Sequence, residues 1–353
     1  MEHQGGLAAF RVGILNDMSD GPPGPGRNIE QWLRLAVDDV TAEGRLDRPF
    51  EFVHSWGLGL PTGTAAAVER AFIELVHADV LLVVGPAIGD NALVATPLAG
   101  RYRLPTINWA GTERARGEYM FHLQVGSHED ESIVIARHLR AAGSRRVGVV
   151  HDRSPIGRRY AAYLRAEAEA IGLSVTTAVS VPPVSDDAEA ETAAVLGAGV
   201  DSLVYLGLGL AAPAVGRAAD AQRWDGTRIM NTAGMRGYSP GFAASIDGWL
   251  YVDMHSDGNR TLAEVRRRAG VGPESGAAPA SGSDMGRLVA EAFARATEWT
   301  REGVKDGLEQ VKWLPAAQGH EGTTLGFGHH DRGALHGRYL VIRQWRDGSS
   351  VEM

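Results

Sequence analysis

Three groups of residues in this chain have the types that covalent or metal chemistry uses. Gly237-Tyr238-Ser239-Pro240-Gly241 spells G-x-S-x-G, the string that presents a nucleophilic serine. That chemistry needs a strand ending at the serine and a helix starting after it. The strand expected here ends near Asn231, several residues early, so a Ser-Pro turn is the plainer reading. A hydrolase built on Ser239 stays open as an alternative. Gly207-Leu208-Gly209-Leu210-Ala211-Ala212 spells G-x-G-x-x-A between a strand and a helix, the form of a dinucleotide cradle. The next strand ends at Asn231 with no acid for a ribose hydroxyl, and these read as packing glycines. His329, His330 and His336, with His320, are metal-donor types at no standard ligand spacing, and read as solvated loop histidines.

The rest of the inventory narrows the chemistry further. There is no cysteine, so no thiolate nucleophile and no Cys-held metal. The only lysines are Lys305 and Lys312, and neither ends a P-loop. The expectation is no catalytic residue, no metal, no cofactor and no enzyme. The net charge of −8 lacks the basic excess of a nucleic-acid binder, so no nucleic-acid partner is expected. No run approaches the roughly 18 apolar residues of a membrane span, so no membrane insertion is expected. Residues 1–10 have neither a basic start nor a long apolar stretch, so they are not a secretory signal as they stand. A cytoplasmic location and a leader missing from this chain both stay open.

The elements that must position any site alternate strand and helix. Residues 10–15 form a short apolar strand ending at Asn16-Asp17, followed by a Gly/Pro-rich loop over 19–27. Ile29, Leu33, Ala36, Val37 and Val40 recur at helical spacing. A strand at 50–54, a helical stripe through Val68, Phe72 and Leu75, and the apolar run 80–84 follow. A helix at 90–101 and strands at 105–109 and 120–125 complete a run of βαβ units. The same grammar restarts at a helix over 132–142 and a strand at 146–150 that leads to His151-Asp152. It continues through strands at 174–181, 202–206, 228–231 and 249–254 with helices between. Residues 270–282, rich in Gly, Pro, Ala and Ser, read as loop. A strong amphipathic helix follows to Trp299, then a short one over 304–311, strand 323–327 and a final strand 338–345.

In order and spacing these features resemble the type I periplasmic binding proteins, and most of all the leucine/isoleucine/valine-binding receptors of ABC transporters. The stretches that carry the resemblance are Val12 to Asn16 before the Gly-rich loop, then Val83-Val84-Gly85-Pro86 with Leu104-Pro105-Thr106-Ile107 and Ala110-Gly111-Thr112. Residues 146–152 with Gly157, and the long helix with its closing strands, complete it. The resemblance implies an α/β fold of two doubly wound, Rossmann-like lobes joined by three hinge crossings, near 125–127, 253–256 and 327–331. Lobe 1 would hold 1–125 plus 255–326, and lobe 2 would hold 126–254 plus 327–353. The ligand would lie between the lobes at the carboxyl ends of the strands.

Carried over residue by residue, the resemblance marks Asp17, Met18, Gly89, Asp90, Ala110, Gly111, Thr112, Ile156, Leu208 and Gly234 as ligand-binding positions. The family's carboxylate-gripping serine corresponds to Gly89, where the hydroxyl is gone and Asp90 adds a negative charge. Asp90 also reads simply as a helix N-cap. Thr112 keeps the family's hydroxyl, against the plainer reading of a turn. An aromatic residue is replaced by Ile156, and a second aromatic contact falls near Leu208. The acid that would hold an amino group falls near Ala233-Gly234, where there is none. Trp56, Trp109, Ser127, His128, Asp152, Met235 and Tyr238 remain nearby. The implied function is a solute-binding protein for an ABC-type uptake system, with a membrane permease as partner and a periplasmic or cell-surface location. Its ligand would be a small organic molecule other than a branched-chain amino acid, such as an aromatic acid or an amide. A cytosolic sensor of small amides with the same fold is the alternative.

Overall fold

The computed structural model describes residues 8–22, 29–239 and 241–353. The chain start and much of the expected Gly/Pro-rich loop lie outside them. The described residues fall into two compact units: those within 1–125, 278–317 and 322–337 form the first, and those within 126–277, 318–321 and 338–353 the second.

The first unit begins β1 (Phe10–Asn16), α1 (Glu30–Ala42), β2 (Phe50–Trp56), α2 (Ala65–His77), β3 (Leu82–Val84), α3 (Gly89–Arg101), β4 (Thr106–Asn108) and β5 (Met120–His122). The strands form a parallel sheet in the order β2-β1-β3-β4-β5. Its strands are apolar on both faces because helices cover both: Val12, Ile14, Val83 and Val84 are buried, as are Val68, Phe72 and Leu75 of α2.

The second unit repeats the plan. It contains α4 (His128–Ala141), β6 (Arg146–Asp152), α5 (Pro155–Ala170), β7 (Ser174–Val181), α6 (Glu189–Gly197), β8 (Ser202–Leu206), α7 (Ala212–Ala221), β9 (Thr227–Met230), β10 (Leu250–Asp253) and α8 (Arg260–Ala269). The chain then adds α9 (Ala278–Arg295), α10 (Arg301–Glu309), β11 (Leu314–Pro315), β12 (Thr324–Leu325) and β13 (Leu335–His336) to the first unit. It returns to the second as β14 (Val341–Arg346) and β15 (Ser349–Glu352). The second sheet runs β15-β14-β10-β9-β8-β6-β7, parallel from β7 to β10 and antiparallel at β14 and β15.

Three expectations need correction. Residues 278–282 are helix, not loop, because their small side chains let α9 lie close against α1. A Cβ on Gly282 would stand 2.4 Å from Trp32 Cβ, and one on Gly286 would press on Leu33 and Ala36. Residues 255–277 pack with the second unit, where Asn259 Nδ2 donates to Gly319 O at 3.0 Å and Arg266 Nη2 to Gly276 O at 3.1 Å. Residues 327–337 stay with the first, since His122 N donates to Arg332 O and Ala334 N to His122 O, both at 2.8 Å.

Candidate functional site

Sheets with the strand order 2-1-3-4-5 open a crevice where the loops leaving the first and third strands turn to opposite faces. In the first unit that point follows β1 and β3, and a buried carboxylate occupies it. Asp17 Oδ1 accepts from Ala87 N at 2.9 Å; Oδ2 accepts from Ile88 N at 3.0 Å and Asn91 Nδ2 at 2.8 Å. Burial raises the Asp17 pKa above its ordinary value, and these donors pull it back. The side chain thus neutralises the amino end of α3, where unpaired N–H groups favour an anion.

The other first-unit positions lie in the loop after β1, in the first turn of α3 and in the loop after β4. Met18 is exposed. Gly89 is the buried first residue of α3, and Asp90 stands in its first turn rather than at the cap, which is Ile88. Ala110 N donates to Asn108 Oδ1, and Ala110 O accepts from His122 Nε2 at 2.6 Å. Burial, then the charge of Arg116, lowers the His122 pKa to about 3. The neutral ring donates from Nε2 to Ala110 O and accepts Arg116 Nε at Nδ1. The Ala110 carbonyl, at a position the resemblance marks for the ligand, thus already accepts one protein hydrogen bond. Gly111 is half-buried. Thr112 is fully buried in a turn: its hydroxyl accepts from Arg114 N at 3.3 Å, and its carbonyl from Ala115 N. Trp56 stacks on His54, with ring centroids 5.4 Å apart.

The second unit repeats the device. Asp152 ends β6 and accepts from Tyr205 Oη on one oxygen and from Leu208 N on the other, at 2.7 Å. Burial raises its pKa to about 6; those two bonds and the charge of Arg236 act the other way. A Cβ on Gly207 would stand 2.2 Å from the Asp152 carboxylate, so this glycine makes room for the acid, as the packing-glycine reading expects. Ile156, in the first turn of α5, is buried, and Leu208 is half-buried. Gly234 is buried beneath Tyr251, whose ring side an added Cβ would strike. Ser127 caps α4, and His128 packs against the Tyr160 ring.

Two groups at this end escape sequence reasoning. Glu131 is fully buried and accepts from Ser127 N at 2.7 Å, Tyr160 Oη at 2.7 Å and Thr232 N at 2.6 Å; burial raises its pKa to about 7. Arg236 lies in the 3-10 turn Thr232–Tyr238 after β9, half-buried, and its Nε donates to Leu208 O. Burial lowers its pKa, against the pull of Tyr205 and Asp152. The available signal was simple: Arg236 is the sole charged residue between Asn231 and Tyr238.

Ser239 is exposed, and β9 ends nine residues before it, with the 3-10 turn between. That is not the strand–serine–helix geometry of an elbow; Pro240 of the string lies outside the described residues. Of the histidine group, His329 Nδ1 lies 3.2 Å from Glu309 and His336 Nε2 lies 3.0 Å from Gly326 O. Among the described residues no helix is long and apolar enough to cross a membrane.

Comparison with known proteins gives these features a frame. No curated protein matches the chain. Among solved structures, a type 1 periplasmic binding protein from Bordetella pertussis aligns over 96% of this chain and 97% of its own, with TM-score 0.80 and 16% identity. A leucine-binding protein from Thermotoga maritima aligns over 98% of each chain, with TM-score 0.77 and 14% identity. An ABC-transporter solute-binding protein from Rhodopseudomonas palustris, in complex with p-hydroxybenzoic acid, aligns over 98% of this chain and 95% of its own, with TM-score 0.77 and 17% identity. At such identities the likeness is one of fold. The sequence profile of the periplasmic binding proteins, a family of solute binders rather than enzymes, matches residues 9–348, and this chain belongs to that family, type I.

Proposed function

We propose that this protein captures a small organic solute that is not a standard α-amino acid and passes it unaltered to an ABC-type permease. Binding takes place at the carboxyl ends of the sheet strands, through hydrogen bonds and apolar enclosure. A micromolar site needs about 8 kcal/mol, which a few such contacts supply.

One observation carries the choice of ligand. An α-amino acid brings an ammonium that needs a carboxylate or a free carbonyl. At these strand ends the buried acids Asp17, Asp152 and Glu131 already accept from protein donors on both oxygens, and Ala110 O accepts from His122. The relatives differ in ligand, leucine for one and p-hydroxybenzoic acid for another, so the shared fold leaves the solute to each chain's own loops.

Titration calorimetry against amino acids, aromatic acids and amides tests the reading. Binding of one of the non-amino-acid solutes at micromolar strength is expected. Tight binding of leucine or valine refutes the ligand assignment.

A further inference from the structure

Arg236 is built in rather than merely present. Its stem passes Gly209, whose φ of +88° suits a glycine, and a Cβ there would stand 3.0 Å from Arg236 Cδ. Its Nε is fixed to Leu208 O, which leaves the outer edge of the guanidinium as a planar fork. Both terminal nitrogens lack a hydrogen bond or ion pair among the described residues. The nearby carboxylate does not take them: Asp152 accepts from Tyr205 and Leu208 instead. The terminal nitrogens are not among the buried polar atoms left without a partner, so they face solvent and are open to an acceptor that approaches from it. The guanidinium stands where the loops after β6, β8 and β9 gather, at the switch point of the second sheet.

We propose that Arg236 holds a carboxylate of the solute, its two terminal nitrogens donating in parallel to the two oxygens, so that the transported molecule is an organic acid. This rests on the proposed capture function and names its ligand class. Charge argues for a single carboxylate over a phosphate. The loop after β8 holds no cation, the turn after β9 holds Arg236 alone, and Arg153 after β6 donates to Ser180. One guanidinium beside the Asp152 carboxyl suits one negative charge and not two.

The test titrates the wild-type protein with matched pairs: 4-hydroxybenzoate and 4-hydroxybenzamide, phenylacetate and phenylacetamide, hexanoate and hexanamide. At least one acid is expected to bind about tenfold or more tighter than its amide. Arg236→Gln should weaken that acid roughly 10- to 100-fold and leave the amide within about threefold. Arg236→Lys, which keeps the charge and loses the fork, should fall between. A merely structural role for Arg236 would weaken acid and amide alike, and that result overturns the proposal, as does a panel with no preference for any acid. Should Arg236→Gln fail to fold by circular dichroism, the acid-to-amide ratio of Arg236→Lys decides. Tight binding of an amide alone would remove the acid assignment and leave solute capture standing; tight binding of leucine would remove the proposed ligand class itself.

Discussion

Replacing Glu291 by glutamine removes one charge from the contact between α1 and α9 while keeping the side chain's size. The Glu291 side chain is fully buried and accepts from Arg45 at 2.6 and 2.8 Å, and from Arg287 and Arg295 at 2.8 Å each. Burial pushes its pKa up, but the Arg45 bonds and the charges of Arg287, Arg45 and Arg295 outweigh it and bring the carboxyl from 4.5 to about 2. Such a fall corresponds to about 3 kcal/mol of stabilisation at neutral pH. The three arginines are about a third exposed, so solvent screening reduces the expected effect to roughly 2 kcal/mol. Because the folded pKa lies below the unfolded one, this contribution is complete above pH 4.5 and disappears as pH falls through about 2. Urea unfolding of wild type and Glu291→Gln, followed by tryptophan fluorescence, reads it directly, since Trp32 on α1 packs against α9. The variant should be less stable by about 2 kcal/mol at pH 7, and less than half that gap should remain near pH 3. A gap of equal size at both pH values would refute an origin in charge, and no gap at pH 7 would refute the ion cluster's contribution altogether.

Other predictions follow from the same geometry. Asp17→Ala strips three donors of their acceptor and should destabilise the first unit by about 3 kcal/mol, with faster amide exchange at Ala87 and Ile88; unchanged exchange there would contradict the capping role. Glu131, with its pKa raised by burial from 4.5 to about 7, binds its proton more tightly in the folded state, so its ionisation destabilises the fold as pH rises from 4.5 through 7. Glu131→Gln should remove that dependence, worth on the order of 3 kcal/mol, and melts of both proteins at pH 5 and pH 8 measure the difference. Ser239→Ala should leave the melting temperature and solute affinity unchanged, and the wild type should not hydrolyse p-nitrophenyl esters; hydrolysis lost in the variant would revive the serine reading.

Much of the fold was readable because parallel sheets covered on both faces demand continuous apolar runs, and residues 80–84 and 202–206 supply them. The start of α9 was not. Ala, Gly and Ser describe a flexible loop and a tight helix contact equally well, and only the partner, Trp32 on α1, distinguishes them. The strand-end acids Asp17 and Asp152 were visible as positions, but their shared task was not, since it depends on N–H groups from loops 70 and 56 residues away. Thr112 shows the opposite limit: sequence offers a hydroxyl, and burial with Arg114 N decides what it does. Arg236 escaped because it sits in an irregular turn, outside the periodic elements on which pattern reading relies.

Asp17 and Asp152 each fasten the end of a first strand to the loop leaving a third, once in each unit. The fastener is internal to the chain, so the geometry of each crevice is set before any guest arrives. The side chains of neighbours such as Met18 and Leu208 take no part in these bonds and can vary without breaking them. A scaffold arranged this way lets the side chains around each crevice change while the architecture stays intact.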